Sequence, residues 1–279
     1  MPMCRLSSAC AVLLAAAMLV VLPQPAAAQP AADQCIAVAQ APMQPPRPRI
    51  QRASLKLAAL EPTEARLTFV GHATWLIESP GGIKIATDYN DYIRPEVVPD
   101  IVTMNRAHTT HYSLAPDPAI KHVLRGWNLD GAGPARHDLT LGDVRVRNVA
   151  TNTRDWAGGH VAHGNSVFIF ELAGLCIGHL GHLHHTLNEE QLGWIGQLDV
   201  VMVAVDGSYT LDVAGVVETL KALKARLVLP MHYFESHTLQ RFLDRLGNDF
   251  TVETSATSSV VISQATLPKE PKVLVLPGR

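Results

Sequence analysis

Three apolar runs in the sequence each lead into histidine, the side chain that most often binds metal ions in proteins. The runs span residues 101–104, 175–178 and 227–231, and the histidines that follow them are His108 with His111, His182, and His232. Loops at strand ends are where a rigid scaffold presents functional side chains. If these runs are strands of one domain, their imidazoles can converge on a single cation.

The expected cation is zinc, with another divalent metal as the alternative. Zinc binds histidine nitrogen at about 2.0–2.1 Å, and catalytic zinc sites combine three protein ligands with one open position. Any single histidine here could instead be a surface residue or a hydrogen-bonded residue at a strand end. Because three separate runs end in the same way, the metal interpretation is favoured for the set.

Several motifs, taken in order, resemble the metallo-β-lactamase superfamily of metal-dependent hydrolases. The most similar branch contains sugar-phosphate lactonases and phospholipase-D-like enzymes. The motifs are FVGHATW at 69–75, IATD at 85–88, NSVFIFE at 165–171, HLGHL at 179–183, DGSYTLD at 206–212 and PMHY at 230–233. The resemblance implies an α/β fold: an αββα sandwich of two mixed sheets flanked by helices, with the metal site along one edge of both sheets.

The resemblance also shows which ligands are altered. The family's first metal motif, His-x-His-x-Asp-His, falls on RAHTTH at 106–111, so Arg106 replaces its first histidine and Thr110 its aspartate. The family's bridging aspartate corresponds to His182, and its mid-chain ligand histidine falls near Arg154. The final ligand is retained as His232.

The surviving positions predict one metal rather than two. A guanidinium beside a second dication would be repelled by roughly several kcal/mol at an effective dielectric of about 20. Arg106 is therefore expected to replace the lost positive charge and to bind a carboxylate or phosphate of a small-molecule substrate. Arg154 is a second candidate for substrate binding. The expected metal ligands are His108, His111, His182 and His232.

Three further residues are candidates at the site. Asp206 directly follows the run 200–205 and could act as the general base. Alternatively, it is a loop aspartate that accepts hydrogen bonds from nearby backbone amides. Asp88 matches the family's strand-end aspartate and is expected to hold a ligand histidine in the correct tautomer. His72 is expected to orient a ligand rather than to bind metal.

Strand-like runs dominate the first part of the chain and helices the second. Residues 66–78 and 82–87 are predicted to form a strand pair around the turn 79–82. Helices are predicted at 187–193 with a Thr186–Glu189 capping box, at 213–224 capped by Asp212, and at 237–246 capped by Ser236. Further strands are predicted at 101–104, 144–149, 166–172, 175–178, 200–205, 227–230, 251–253 and 260–262.

The start of the chain is typical of a secretory signal peptide. Arg5 precedes an uncharged apolar run at 9–22, and three alanines at 26–28 form a small-residue cleavage site. The run is shorter than the roughly 20 residues needed to span a bilayer. We therefore expect cleavage after Ala28, a periplasmic or secreted protein and no integral membrane segment. The expected divisions are a signal peptide at 1–28, a Pro-rich linker at 29–64, the metallo-β-lactamase-like domain at 65–265 and a C-terminal tail at 266–279 that could add an edge strand.

Net charge and cysteine content bear on the partners of the protein and on its disulfides. The formal net charge of the 279-residue chain is −2, which argues against a nucleic-acid partner. After signal cleavage Cys35 and Cys176 remain, and a buried thiol at Cys176 is favoured over a disulfide.

The favoured function is an exported hydrolase that uses metal-bound hydroxide on an ester, lactone or phosphodiester. One alternative is a noncatalytic protein of the same fold that binds metal or an anionic ligand. Another is a pH-responsive cluster without metal, formed by His108, His111, His182 and His184.

Overall fold

Two mixed β-sheets stack face to face in the computed structural model, which describes Cys35 and residues 59–155 and 157–278. The first sheet has the order β13-β1-β2-β3-β4-β5. Its strands are β1 (Ala65–Gly71), β2 (Thr74–Glu78), β3 (Lys84–Ala86), β4 (Ile101–Met104), β5 (His122–Arg125) and β13 (Ser259–Ile262). The pairs from β13 to β3 are antiparallel, whereas β3, β4 and β5 run parallel.

The second sheet has the order β12-β14-β11-β10-β9-β8-β7-β6. Its strands are β6 (Asp138–Leu141), β7 (Val144–Arg154), β8 (His160–Leu172), β9 (Leu175–His179), β10 (Val200–Ala204), β11 (Leu227–Met231), β12 (Thr251–Thr254) and β14 (Lys272–Val275). Strands β9, β10 and β11 are parallel neighbours. The expected α/β architecture with two mixed sheets is confirmed.

The core lies between the two sheets, and a second apolar layer lies on the outer face of the second sheet. Along β8, Phe168 and Phe170 face the first sheet, while Val167 and Ile169 face the helices. Side chains of a strand alternate between its two faces. Because both faces of β8 are covered here, residues 167–170 form a continuous apolar run.

Within the described residues, three helices cover the outer face of the second sheet. They are α1 (Glu189–Ile195), α2 (Val213–Leu223) and α3 (Ser236–Arg245). Asp212 caps α2 by accepting from the Gly215 amide, as predicted. The predicted Thr186–Glu189 capping box is wrong, because Asn188 caps α1 and exchanges hydrogen bonds with Gln191. Ser236 is the first residue of α3 rather than its cap.

The C-terminal segment contributes an internal strand, so the expected edge strand is wrong. Lys272 of β14 pairs with Leu227 of β11 on one side and with Thr251 of β12 on the other. Val273 is fully buried. The apolar segment 273–275 therefore completes the second sheet, and the more polar β12 forms the edge.

Cys35 and Cys176 form a disulfide, which corrects the expectation of a free thiol. Cys176 of β9 faces the helix side of the second sheet, where Cys35 is only 1% exposed. The carbonyl oxygen of Cys35 also accepts a hydrogen bond from the Gln197 amide. The pairing joins residues 141 positions apart, which sequence spacing alone does not indicate. The expected signal peptide and most of the expected linker lie outside the described residues.

Among the described residues, no helix has both the length and the apolar character required to cross a bilayer.

Candidate metal centre

Strand direction brings the candidate residues to one edge of the sandwich. Side chains that follow parallel strands lie at the same edge of their sheet. The second sheet places residues after β9, β10 and β11 there, and the first sheet places residues after β3 and β4 there. The residues at these strand ends are Asp88, His111, His182, Asp206 and His232.

Five imidazole rings gather at this edge. The rings of His111 and His182 are 4.7 Å apart between centroids, and each ring lies 5.1 Å from that of His232. His108 lies 4.4 Å from His111. His72 lies 4.1 Å from His232. The structure thus brings together the histidines of all three runs identified in the sequence.

Four of the five histidines form a compact donor group. The group comprises His72, His108, His111 and His232, and one ring nitrogen from each lies within 4.8 Å of the others. His72 was expected to orient a ligand, but the structure places it inside the donor group. It occupies the turn between β1 and β2 with a φ of +53°, which divides the predicted strand 66–78 into two.

Thr110, at the position of the family's motif aspartate, connects two members of the group. Its hydroxyl lies 2.9 Å from His72 Nε2 and 2.7 Å from His108 Nδ1. Because a hydroxyl oxygen has two lone pairs, it can accept an N–H from both rings, and each ring then keeps a lone pair on its other nitrogen. Because Nδ1 of His108 contacts Thr110, Nε2 is the nitrogen of His108 that remains for a metal ion.

Asp88 lies beside His111, where an orienting role requires it. Its Oδ2 lies 2.6 Å from His111 Nδ1, and its Oδ1 accepts from the Asn105 side-chain amide at 2.9 Å. All three side chains are fully buried. Burial raises the pKa of Asp88 to about 6 and lowers the pKa of His111 well below its usual value. At neutral pH the neutral His111 therefore donates from Nδ1 to an ionised Asp88.

Asp206 holds His232 in the same way, and this geometry is unfavourable for the general-base role expected of it. Its Oδ1 lies 3.0 Å from His232 Nδ1 and also accepts from the Thr210 hydroxyl. Its Oδ2 accepts from the backbone amides of Ser208 and Tyr209. Burial acts to raise the pKa of Asp206, but these hydrogen bonds outweigh it and hold the pKa well below its usual value. Such a carboxylate is a weak proton acceptor and a good orienting partner.

His111 and His232 present two lone pairs to one point. Because each donates Nδ1–H to a carboxylate, each keeps an unprotonated Nε2, and these two atoms are 3.1 Å apart. Two lone pairs at this distance repel each other unless a cation lies between them. Tetrahedral zinc with bonds of 2.0–2.1 Å separates two ligand nitrogens by about 3.3–3.4 Å. The donor group therefore fits a divalent metal ion.

His182 differs from the other four rings. Its Nδ1 lies 2.8 Å from His184 Nε2, and His184 Nδ1 accepts from Arg154 Nε at 2.6 Å. Its Nε2 is buried and has no hydrogen-bond partner among the described residues. His182 was expected to bind metal, yet it stands outside the four-histidine group.

A cavity of about 440 Å³ opens beside the histidines. Arg106 and Arg154 both line it, together with His108 and His182. The side chain of Arg106 is exposed, as an anion-binding role requires. Arg154 was expected to bind substrate, but it already donates to His184 and to the Thr210 carbonyl oxygen.

Two exposed aromatic rings border the histidines as well. Phe234 is 56% exposed, and its ring lies 5.3 Å from that of His232. Tyr209 is 60% exposed, lines the cavity and lies 5.8 Å from Phe234. Sequence reasoning did not single out these rings. The available signal was their position, with Phe234 two residues after His232 and Tyr209 within DGSYTLD.

Comparisons with known proteins show which family this chain resembles. A family model described as the β-lactamase superfamily domain matches residues 66–232. A UPF0173 metal-dependent hydrolase of Archaeoglobus fulgidus is 24% identical over 193 residues, which cover 60% of this chain and 83% of that protein. One from Thermoplasma acidophilum is 26% identical over 157 residues, covering 50% and 69%. A metallo-β-lactamase superfamily crystal structure from Thermotoga maritima is 28% identical, with a TM-score of 0.57, and the match covers 77% of this chain and all of that one.

Proposed function

The chain belongs to the family defined by the β-lactamase superfamily domain. From this premise we propose that it is an exported, zinc-dependent hydrolase of anionic esters, lactones or phosphodiesters. Its relatives in Archaeoglobus fulgidus and Thermoplasma acidophilum carry the description metal-dependent hydrolase. The observation that carries the proposal is the four-histidine group, with Asp88 and Asp206 behind two of its members. Carboxylates behind ligand histidines are the usual outer partners of protein-bound zinc.

His72, His108, His111 and His232 would hold the ion. A zinc ion bound there would supply Lewis acidity and lower the pKa of a coordinated water towards 7. Asp88 and Asp206 keep two of the rings in the ligating tautomer. We propose one ion per chain, because Arg106 occupies the family's first ligand position and carries a permanent positive charge.

The cavity supports a substrate with two different ends. Arg106 can bind a carboxylate or phosphate oxygen, since a guanidinium forms strong, charge-assisted hydrogen bonds with both. Tyr209 lines the cavity and offers apolar surface, and the exposed ring of Phe234 lies beside it. A substrate with an anionic group on one side of the scissile bond and an apolar group on the other can contact both Arg106 and the aromatic rings.

A paired-substrate assay tests this function. Zinc content is measured first, and one ion per chain is expected. Turnover of bis(p-nitrophenyl) phosphate, an anionic diester, is then compared with that of p-nitrophenyl acetate, a neutral ester. The Arg106→Ala variant should lose kcat/KM on the anionic probe by roughly 10-fold or more, in line with loss of a charged hydrogen bond. It should change little on the neutral ester.

Arg136→Ala is the matched control, because Arg136 is exposed and does not line the cavity. Equal loss on both probes would contradict the role of Arg106. Tight zinc binding without turnover of either probe would favour a noncatalytic metal-binding protein.

Export is part of the proposal and has two supports. The first is the apolar run and small-residue site at the start of the sequence. The second is the Cys35–Cys176 disulfide, because disulfides persist in oxidising compartments. Expression of the full chain in a Gram-negative host, followed by fractionation and mass determination, should recover a periplasmic protein that begins after Ala28. Recovery of the full-length chain in the cytoplasm would refute this.

A further inference from the structure

The contacts of His182 determine which of its nitrogens carries hydrogen. An arginine N–H can donate a hydrogen bond but cannot accept one. His184 Nδ1 therefore accepts from Arg154 Nε at 2.6 Å, and a neutral His184 must carry its hydrogen on Nε2. That hydrogen is donated to His182 Nδ1 at 2.8 Å. A neutral His182 must then carry its own hydrogen on Nε2.

This tautomer is the opposite of the one adopted by the carboxylate-backed rings. His111 and His232 donate from Nδ1 and keep a lone pair on Nε2. His182 has a hydrogen on Nε2 and no lone pair there for a metal ion. The nitrogen is buried and has no partner within the described part of the chain, and the residue is only 4% exposed. A buried donor without an acceptor is costly, so this position calls for an oxygen atom.

A substrate bound in the adjacent cavity can supply such an oxygen. The ring of His182 lines the cavity and packs edge-on against His111 at 4.7 Å, so it borders both the cavity and the donor group. We infer that His182 is not a metal ligand but donates a hydrogen bond from Nε2 to the substrate oxygen that gains negative charge during hydrolysis. Arg154 and His184 are positioning residues that hold this tautomer. The inference rests on the proposed hydrolase function.

Metal affinity separates a donor from a ligand without any substrate. Zinc affinity is measured by competition with a chromophoric chelator for the wild type, His182→Ala and His232→Ala, with circular dichroism to verify folding. His182→Ala should bind zinc like the wild type. His232→Ala should lose more than the roughly 10–100-fold that removal of an outer partner costs. Equal losses in the two variants would overturn the inference.

The hydrogen position can be observed directly in the zinc-loaded protein. Two-bond ¹H–¹⁵N spectra of histidine-labelled protein, assigned with His182→Gln, should show a protonated Nε2 and an unprotonated Nδ1 for His182. His111 and His232 should show the reverse. A protonated Nδ1 on His182 would refute the proposed tautomer even if every variant folds.

Rate measurements complete the test. With bis(p-nitrophenyl) phosphate, His182→Ala should lower kcat by roughly 10²–10³-fold, as removal of an oxyanion donor does. His182→Gln should restore part of the rate, because its amide can also donate. An unchanged rate in His182→Ala would overturn the donor role. If the wild type turns over no ester, the proposed function fails, whereas the zinc and NMR measurements still decide whether His182 is a ligand.

Discussion

The histidine cluster has two sides, and the imidazoles on the two sides carry their hydrogen on opposite ring nitrogens. On one side Asp88 and Asp206 accept from the outer nitrogens of His111 and His232. On the other side the guanidinium of Arg154 donates, through His184, towards the outer nitrogen of His182. A carboxylate behind imidazole leaves a lone pair on its inner nitrogen, whereas a guanidinium leaves a hydrogen. The group behind each ring, rather than the ring itself, decides whether a histidine can bind metal.

The largest expected effect comes from removing a carboxylate-backed ring. In His111→Ala or His232→Ala the metal group loses one of the two nitrogens that are 3.1 Å apart. Zinc at 100 times its Kd stabilises the wild type by about 2.7 kcal/mol, which corresponds to roughly 5–11 °C in Tm for a domain of this size. We expect this zinc-dependent rise in Tm to disappear in both variants, as measured by calorimetry with zinc and with chelator.

His237→Ala is the matched control, because its side chain is 69% exposed and pairs only with Glu235 among the described contacts. It should keep the full zinc-dependent rise. A rise retained in His232→Ala would place the metal elsewhere.

A smaller effect is expected when the carboxylates are neutralised. Asp88→Asn and Asp206→Asn keep the shape of each side chain but remove the charge that favours the ligating tautomer. Zinc affinity should fall by about 10–100-fold, the usual cost of losing an outer partner. Asp249→Asn, at an exposed position beside Lys221, should not change it. Unchanged zinc affinity in both site variants would show that the carboxylates do not determine which rings bind metal.

Acid should destabilise the zinc-free protein, because both sides of the cluster need neutral rings. Burial lowers the pKa of His72 to about 3, and burial followed by the charge of Arg154 lowers the pKa of His184 to about 4. The unfolded chain takes up these protons below pH 6.5 while the folded chain does not, so the free energy of unfolding falls as the pH drops. Each such proton contributes about 1.4 kcal/mol per pH unit.

Asp88 acts in the opposite direction. Burial raises the pKa of Asp88 to about 6 in the folded chain, whereas the ordinary value in the unfolded chain is 3.8. Between these two pH values the folded chain holds a proton that the unfolded chain has released, so this group adds to the free energy of unfolding as the pH drops. The histidines outnumber it, and the net change is a loss. Urea unfolding of chelated protein at pH 7.5 and 5.5 measures the change, and equal stability at the two pH values would show that the rings are not held neutral.

The smallest effect on metal binding is expected at Arg154. Arg154→Met removes the donor that determines the tautomer of His184, so His182 should show both tautomers in ¹H–¹⁵N spectra. Zinc affinity should not fall, because none of the four grouped histidines loses its partner. Arg136→Met is the control. A single unchanged tautomer in Arg154→Met would show that the guanidinium does not determine it.

The sequence predicted the strands and their histidine-bearing ends better than it predicted the role of each ring. Hydrophobic runs located β4, β9 and β11, because buried strands are continuous in apolar residues. The strand break at His72 was missed, because that residue adopts a left-handed conformation that few non-glycine residues adopt. The Arg154–His184 contact was missed because a bulge between Thr151 and Thr153 shifts the register of β7 just before Arg154.

The disulfide has a consequence for the integrity of the chain. Cys35 is bonded to Cys176, so the disulfide closes a covalent loop that contains every residue from 36 to 175. Proteolytic cleavage at any bond within 36–58 would leave the fragment that carries Cys35 attached to the β9 strand. The cut molecule would migrate as one species on a non-reducing gel and as two species after treatment with a thiol.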